Sequence, residues 1–239
     1  MIMQLTYKFR IYPTKKQEEK LQFTLDKCCF IYNWAVERLN KQEKPNRFEI
    51  QKELTQFKKD NPDLQKVYAK ALFMEIYKLF ANLRALGKLK KKGKRVGRIK
   101  FKPRNKFNTF TYQQTGWKLI QNNGKYGILK LSKIGDIKIR LHRFPEGKQK
   151  SISITKRAGR WYACIACDVE VCPIKRNKIR EIGIDLGIDH FIVDSDGHYF
   201  DYPFYLRQAE EKLKKRYKEF SRKQKGSKNR EKAREKLVI

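Results

Sequence analysis

The sequence predicts an α+β protein of more than one domain: a small basic β-barrel carrying a helical insert near its start, followed by a separate strand-and-helix segment. Three observations carry this. Alternating apolar and polar residues mark strands at Leu5–Tyr12 and through residues 107–171. Apolar residues at helical spacing fill most of residues 15–87 between them. At residue 181 the composition changes from strongly basic to acidic.

The first strand, Leu-Thr-Tyr-Lys-Phe-Arg-Ile-Tyr, presents one apolar face, with Lys8 and Arg10 on the other, and Pro13 ends it. Thr14 stands three residues before Gln17, a capping box that starts a helix. Leu21, Leu25, Cys28, Tyr32, Val36 and Leu39 continue it as one stripe. Asn46 and Glu49 repeat the start signal ahead of Ile50, Leu54 and Phe57. A third helix is expected over 62–86, on Leu64, Tyr68, Leu72, Ile76, Leu79 and Leu83, with Gly87 as its stop. Two of these helices could serve as a helix-turn-helix, which periodicity alone does not establish.

Between Phe107 and Val171 every signal is strand. Asn122-Asn123-Gly124 reads as a turn between WKLIQ and KYGILKL, and Ser151–Thr155 is expected to pair with Trp161–Val169 across Arg157-Ala158-Gly159. Several short strands with regular turns suggest a small barrel or sandwich. A basic linker follows from Cys172-Pro173 to Arg180. Residues 181–202 give two or three strands, and Leu206, Leu213, Tyr217 and Phe220 form a helical stripe. Gly226-Ser227 breaks it, and a last helix begins near Asn229 with little stripe of its own. That unfinished end reads as a truncation, in a helix with nothing to pack on.

The chain has 239 residues, 58 Lys+Arg against 25 Asp+Glu, a formal charge of +33 and a pI near 10.0. So much like charge opposes compaction and implies a polyanionic partner. With 40% hydrophobic and 13% aromatic residues the chain is not a disordered basic tail. No apolar run approaches the roughly 20 residues of a membrane span. The start, MIMQLTYKFR, lacks the apolar stretch of a signal peptide, so a cytoplasmic location and no membrane partner are expected. The five cysteines do not suggest a disulfide framework. Cys164-Ile-Ala-Cys167 lies in a strand, where residues three apart face opposite sides, so a zinc site is not expected there.

Residues 88–150 alone carry 20 basic and 2 acidic residues. Within them KLKKKGKRVGRIKFKPRN holds Lys90, Lys91, Lys92, Lys94, Arg95, Arg98, Lys100, Lys102 and Arg104. A solvated linker is the plain reading. Leu89, Val96, Ile99 and Phe101 interrupt the charge, however, and Arg98–Lys102 alternates like a strand with a basic face. A phosphate-contacting strand and loop is the favoured reading, with salt-sensitive, sequence-independent contacts. Residues 181–206 contain no Lys or Arg and six acids: Glu181, Asp185, Asp189, Asp194, Asp196 and Asp201. Turn chemistry accounts for Asp194 and Asp196. It does not account for Asp185, which follows an apolar strand in GIDLGIDHFIVDSDG and is the candidate ligand for a hard divalent cation.

LTYKFRIYPTKKQEEKL, YNWAVE, RIKFKPR, GRWYACIACDVE, GIDLGIDHFIVDSDG and KQKGSKNREKAREKL occur in this order over nearly the whole chain. In them the chain resembles the TnpB (OrfB) family of insertion-sequence RNA-guided nucleases. The resemblance implies a wedge-like barrel from residues 1–14 and 88–178, a helical recognition insert at 15–87, and the first part of a RuvC (ribonuclease-H-like) α/β nuclease domain at 179–239. It implies guide RNA and DNA as partners, Mg2+ as cofactor, and Asp185 as a catalytic, metal-binding acid. The family's second and third acids and its zinc ribbon have no counterpart in the sequence, so the chain alone is expected to bind nucleic acid without cutting it. A non-catalytic regulatory remnant of the family is the alternative, and a generic RNA-binding protein of ribosomal type fits less well.

Overall fold

The computed structural model describes residues 2–121, 124–170 and 181–238. The chain divides into two compact units, Met1–Val171 and Cys172–Ile239. The expected domain boundary at 178/179 and the linker to Arg180 lie outside the described residues, as do Asn122, Asn123 and Cys172.

In the first unit, β1 (Ile2–Tyr12) leads into α1 (Lys15–Lys41), α2 (Arg47–Asp60), the short α3 (Pro62–Gln65) and α4 (Ala69–Lys91). Six strands follow: β2 (Thr109–Tyr112), β3 (Trp117–Gln121), β4 (Tyr126–Leu131), β5 (Gly135–Arg140), β6 (Lys148–Arg157) and β7 (Arg160–Glu170). All seven strands form one antiparallel sheet in the order β2-β6-β7-β1-β5-β4-β3. The first strand of the sequence thus sits at the centre, and everything between β1 and β2 is an insertion.

The edge strands β2 and β3 are neighbours in sequence, separated only by residues 113–116. Six strand spacings of ~4.8 Å would hold them about 29 Å apart in a flat sheet. Five peptide units reach at most roughly 18 Å. The sheet therefore curls, and the expected small barrel or sandwich takes the form of a half-barrel. Tyr112 Oη donates to the Ser132 carbonyl at 3.0 Å, and Trp117 Nε1 to the Gln113 carbonyl. The concave face is filled by Phe9, Ile11, Phe110, Ile137, Ile139, Ile152, Ile154 and Ile165, all essentially inaccessible.

The start of α1 forms the anticipated capping box, with Gln17 N donating to Thr14 Oγ1 and Thr14 N to Gln17 Oε1. Gln17 Nε2 also reaches the Asp136 carbonyl at 2.7 Å, fixing α1 to β5. Asn46 caps α2 by accepting from Phe48 N. The six stripe residues of α1 are buried, as are Ile50 and Leu54 of α2 and Leu72, Ile76 and Leu79 of α4. Ala158 (φ 48°) and Gly159 (φ 69°) form the two-residue turn between β6 and β7, whose paired positive φ values match strand twist.

Three expectations are corrected. The helix expected over 62–86 is two helices, broken at residues 66–68. Its second part runs through Gly87, which has open space around it, to Lys91; the stop is Gly93 at φ 74°. Arg98–Lys102 is extended but belongs to no sheet.

In the second unit, β8 (Ile184–Asp185), β9 (Ile192–Asp194) and β10 (Tyr199–Phe200) make an antiparallel sheet in the order β10-β9-β8. α5 (Tyr205–Ser221) and α6 (Lys228–Val238) form a helical hairpin. The last helix therefore does pack: Arg216 donates to the Lys236 carbonyl at 2.7 Å, and the Arg230 guanidinium lies 4.2 Å from the Phe220 ring centre.

Candidate nucleic-acid interface

The basic segment after α4 is a strap laid along α1, held by side chains instead of a neighbouring strand. Asn33 Nδ2 donates to the Lys102 carbonyl at 2.9 Å, and Lys102 N donates to Asn33 Oδ1 at 2.8 Å. Tyr32 Oη donates to the Lys100 carbonyl at 3.3 Å, and the Cys29 thiol lies 3.4 Å from the Lys102 carbonyl. Ile99 packs against the core. With its backbone bound inward, the strap turns its charges outward. Lys90, Lys91, Lys92, Lys94, Arg95, Arg98, Lys100, Lys102 and Arg104 are all exposed. Among the described residues none of them makes an ion pair. Lys102 Nζ rests 4.5 Å from the Tyr32 ring centre, over a buried aromatic that keeps its stem in place.

Beneath the strap lies a buried carboxylate, Glu75 on α4, only 2% exposed. Burial pushes its pKa up, while the Lys78 ammonium, 2.8 Å away, and Lys102 pull it back. Burial likewise raises the neighbouring Cys28 and Cys29 thiols and keeps them neutral. Cys164 and Cys167 fall on opposite faces of β7, Cys167 inward, and burial raises both thiols.

Lys8 and Arg10 lie on another element, the convex face of the half-barrel opposite Tyr7, Phe9 and Ile11. Sequence reasoning missed their aromatic partners. Lys8 Nζ lies 4.5 Å from the Tyr162 ring centre, the Arg10 guanidinium 4.9 Å from Tyr12, and Lys138 Nζ 4.2 Å from Tyr126. Tyr12 and Tyr126 meet edge to face at 6.3 Å. The period-2 alternation of β1, β4 and β7 held this signal: each tyrosine stands out of phase with the buried residues of its strand.

In the second unit Asp185 ends β8, exposed, opposite Val193 of β9. Tyr202 Oη donates to the Gly187 carbonyl at 2.6 Å, and His190 Nδ1 lies 2.8 Å from Asp201. Asp194 caps its own turn, accepting from Asp196 N at 3.0 Å and His198 N at 2.9 Å, with His198 Nδ1 also 2.9 Å from its other oxygen. The His198 N–H holds its carboxyl below the ordinary aspartate range. Asp194, Asp196 and His198 form the one group of three or more potential metal ligands that the described residues bring within 4.8 Å of one another. Asp185 is not in it, so the donor set around Asp185 does not by itself fit a pair of divalent ions.

The geometry defines a basic α+β protein: a half-barrel with a helical insert, wearing its cations on a strap and on a convex sheet face. Residues 1–46 match the OrfB family model described as "Helix-turn-helix domain", and residues 164–238 match the OrfB model described as "Probable transposase". The chain belongs to the TnpB/OrfB family. It is 27% identical, over 97% of its length, to a Streptomyces pristinaespiralis protein named "Putative RNA-guided DNA endonuclease". It is 26% identical, again over 97% of its length, to the Escherichia coli (strain K12) protein named "Putative RNA-guided DNA endonuclease InsQ". The chain spans 58% and 57% of the lengths of these two relatives. A cryo-EM structure of a Cas12f1-sgRNA-target DNA complex aligns with a TM-score of 0.47 and 12% identity, over 97% of this chain and 73% of that one. Residues 1–46, matched as helix-turn-helix, form one strand and one 27-residue helix here.

Proposed function

We propose that this chain provides the nucleic-acid-binding part of an RNA-guided DNA endonuclease system, holding guide RNA and target DNA on its first unit. The observation that carries this is the strap: nine exposed cations, free of ion pairs among the described residues, on a backbone pinned to α1. Pinning matters because preorganised charges lose less entropy on binding phosphates. On this reading the half-barrel is the wedge-like domain and residues 15–87 are the recognition insert. The second unit is the opening part of a ribonuclease-H-like domain, with Asp185 as a ligand for Mg2+.

The chain by itself does not cleave. Two-metal hydrolysis clamps both the attacking and the leaving oxygen, which requires several converging carboxylates. Asp185 stands apart from the Asp194–His198 group, and Asp194 is committed to its turn.

Binding of a fluorescent structured RNA and of duplex DNA, titrated across salt, tests the first claim. Replacing Arg98, Lys100 and Lys102 together by Ala is expected to weaken both and to reduce the magnitude of the salt slope by about two to three. Unchanged affinity would sink the strap as an interface. Incubating DNA, RNA and the chain with Mg2+ tests the second claim: robust cleavage lost in Asp185→Ala would overturn the inactivity. Sequence-specific DNA binding without RNA would instead favour a non-catalytic regulatory protein.

A further inference from the structure

Pinning the strap to α1 leaves a slot of about 490 Å3 between it and the last turns of α4. Its α4 wall is Asn82, Ala85 and Leu86; its strap wall is Ile99 and Phe101, with Arg98 and Lys100 at the rim. Residues two apart share a side of an extended chain, so Phe101 would be expected to bury with Ile99. Instead 58% of it is exposed, and it stands as a wall of the slot. An exposed phenyl face, an aliphatic opposite wall, one side-chain amide and two cations that pair with no acid among the described residues match one chemistry. Nucleobases stack on aromatic faces, amides hydrogen-bond base edges, and guanidinium and ammonium groups take the adjoining phosphates.

We propose that this slot is a binding site for an unpaired nucleobase of a single strand, stacked on Phe101, with its flanking phosphates on Arg98 and Lys100. Asn82 is the group placed to discriminate between bases. The site rests on the strap being a nucleic-acid interface, and deepens that reading from charge contact to base contact. A stacked duplex cannot offer a base to it, so the slot confers preference for single-stranded or locally unpaired nucleic acid. RNA and DNA strands share this chemistry; the 2′-hydroxyl is the only difference the rim would sense.

The test uses the 239-residue chain with labelled 20-nucleotide single strands of oligo(dT), oligo(dA), oligo(U) and oligo(A), and a 20-base-pair DNA duplex. Phe101→Ala is a surface change that leaves the core intact. It is expected to weaken single-strand binding roughly five- to hundred-fold, with the salt slope and the duplex affinity unchanged. Phe101→Tyr, which keeps the ring, is expected to restore most of the loss. Asn82→Ala is expected to narrow the difference between adenine and thymine or uracil strands. Equal dA and A losses in Phe101→Ala mark a site indifferent to the sugar, and unequal ones a site that senses the 2′-hydroxyl; both support base stacking. Equal weakening of single strand and duplex, or no weakening of either, overturns the slot. The Arg98→Ala/Lys100→Ala pair separates the two readings: if it leaves every affinity unchanged, the strap interface itself fails, whereas if it weakens binding and Phe101→Ala does not, only the slot fails.

Discussion

Asn33 binds both backbone polar atoms of Lys102, accepting from its N–H at 2.8 Å and donating to its carbonyl at 2.9 Å. A single side chain thereby does for the strap what a neighbouring strand does in a sheet. Asn33→Ala should release both atoms to solvent at a cost of about 1–2 kcal/mol in global stability. The local effect should be larger. Limited trypsin digestion should cut after Arg98 and Lys100 at least about tenfold faster than in the parent, since cleavage tracks local opening. Asn33→Asp keeps the acceptor and loses the donor, and should fall between. Unchanged strap cleavage in Asn33→Ala would show that the strap is held by something else.

The Glu75–Lys78 pair predicts a pH signature. Burial raises the Glu75 pKa in the folded chain, and Lys78 opposes the rise. Removing that opposition in Lys78→Met raises it further. A carboxyl with a folded pKa above its unfolded value favours folding at low pH and loses that contribution as pH climbs through the folded value. Urea denaturation should therefore show Lys78→Met destabilised by about 1–3 kcal/mol at pH 7–8, because a buried carboxylate is left unpaired. The deficit should shrink steadily as the pH falls toward and below about 4, where Glu75 becomes protonated in both states. A pH-independent deficit would mean the loss is one of packing around the Lys78 stem.

Much of this arrangement is legible in the sequence. Thr14 and Asn46 announced their helices because capping is local chemistry between residues three apart, and the α1 stripe is a local periodicity. The strap was not legible in the same way. Arg98–Lys102 alternates because it is extended, and alternation is silent on where its hydrogen bonds go; they go to Cys29, Tyr32 and Asn33, far away in sequence. Gly87 reads as a stop because glycine weakens helices, but its cost is only about 1 kcal/mol, and the helix-favouring Ala85, Leu86 and Lys88–Lys91 around it continue the helix. Gly93 ends it because a left-handed backbone is required there. At the candidate site, composition isolated Asp185 within the acidic stretch. Turn chemistry, which is local, set Asp194 apart from it, and Asp194 does accept from Asp196 N and His198 N within its own turn.

Gly147 should be among the least replaceable residues of the half-barrel. Its φ is 80°, and an added Cβ would lie 2.2 Å from the Asp168 carbonyl oxygen. It enters β6 just before the irregularity between Gln149 and Ser151, where the register with β7 shifts by a residue. Gly147→Ala should destabilise the first unit by about 2 kcal/mol or more, from the unfavourable φ and the displaced backbone together. Chemical denaturation followed by tryptophan fluorescence measures this through Trp161, which is buried on β7. A change under about 0.5 kcal/mol would mean the start of β6 yields freely.

The two units should differ sharply in stability. The first has a continuous core running from β1 through α1 and α4 to β7. In the second, no residue from 181 to 237 is buried, and Ile184, Leu186 and Ile188 are 66%, 71% and 92% exposed. A three-stranded sheet of two- and three-residue strands with no buried side chain has little apolar burial to offset its conformational entropy. Its amides should exchange with free energies far below that of global unfolding, while those of β1, β7 and α1 should approach the global value. Hydrogen exchange with mass-spectrometric readout checks this directly. Within seconds at neutral pH, peptides covering 181–204 should reach near-complete labelling, and peptides covering β1 and β7 should stay protected for hours. Comparable protection in both units would show that the strands around Asp185 are held by contacts outside their own unit. The same experiment repeated with bound single-stranded RNA separates stabilisation of the strap from stabilisation of the Asp185 sheet. Protection gained at 98–104 alone would confine RNA contact to the first unit, whereas protection gained at 181–204 would place the acidic sheet within the bound assembly.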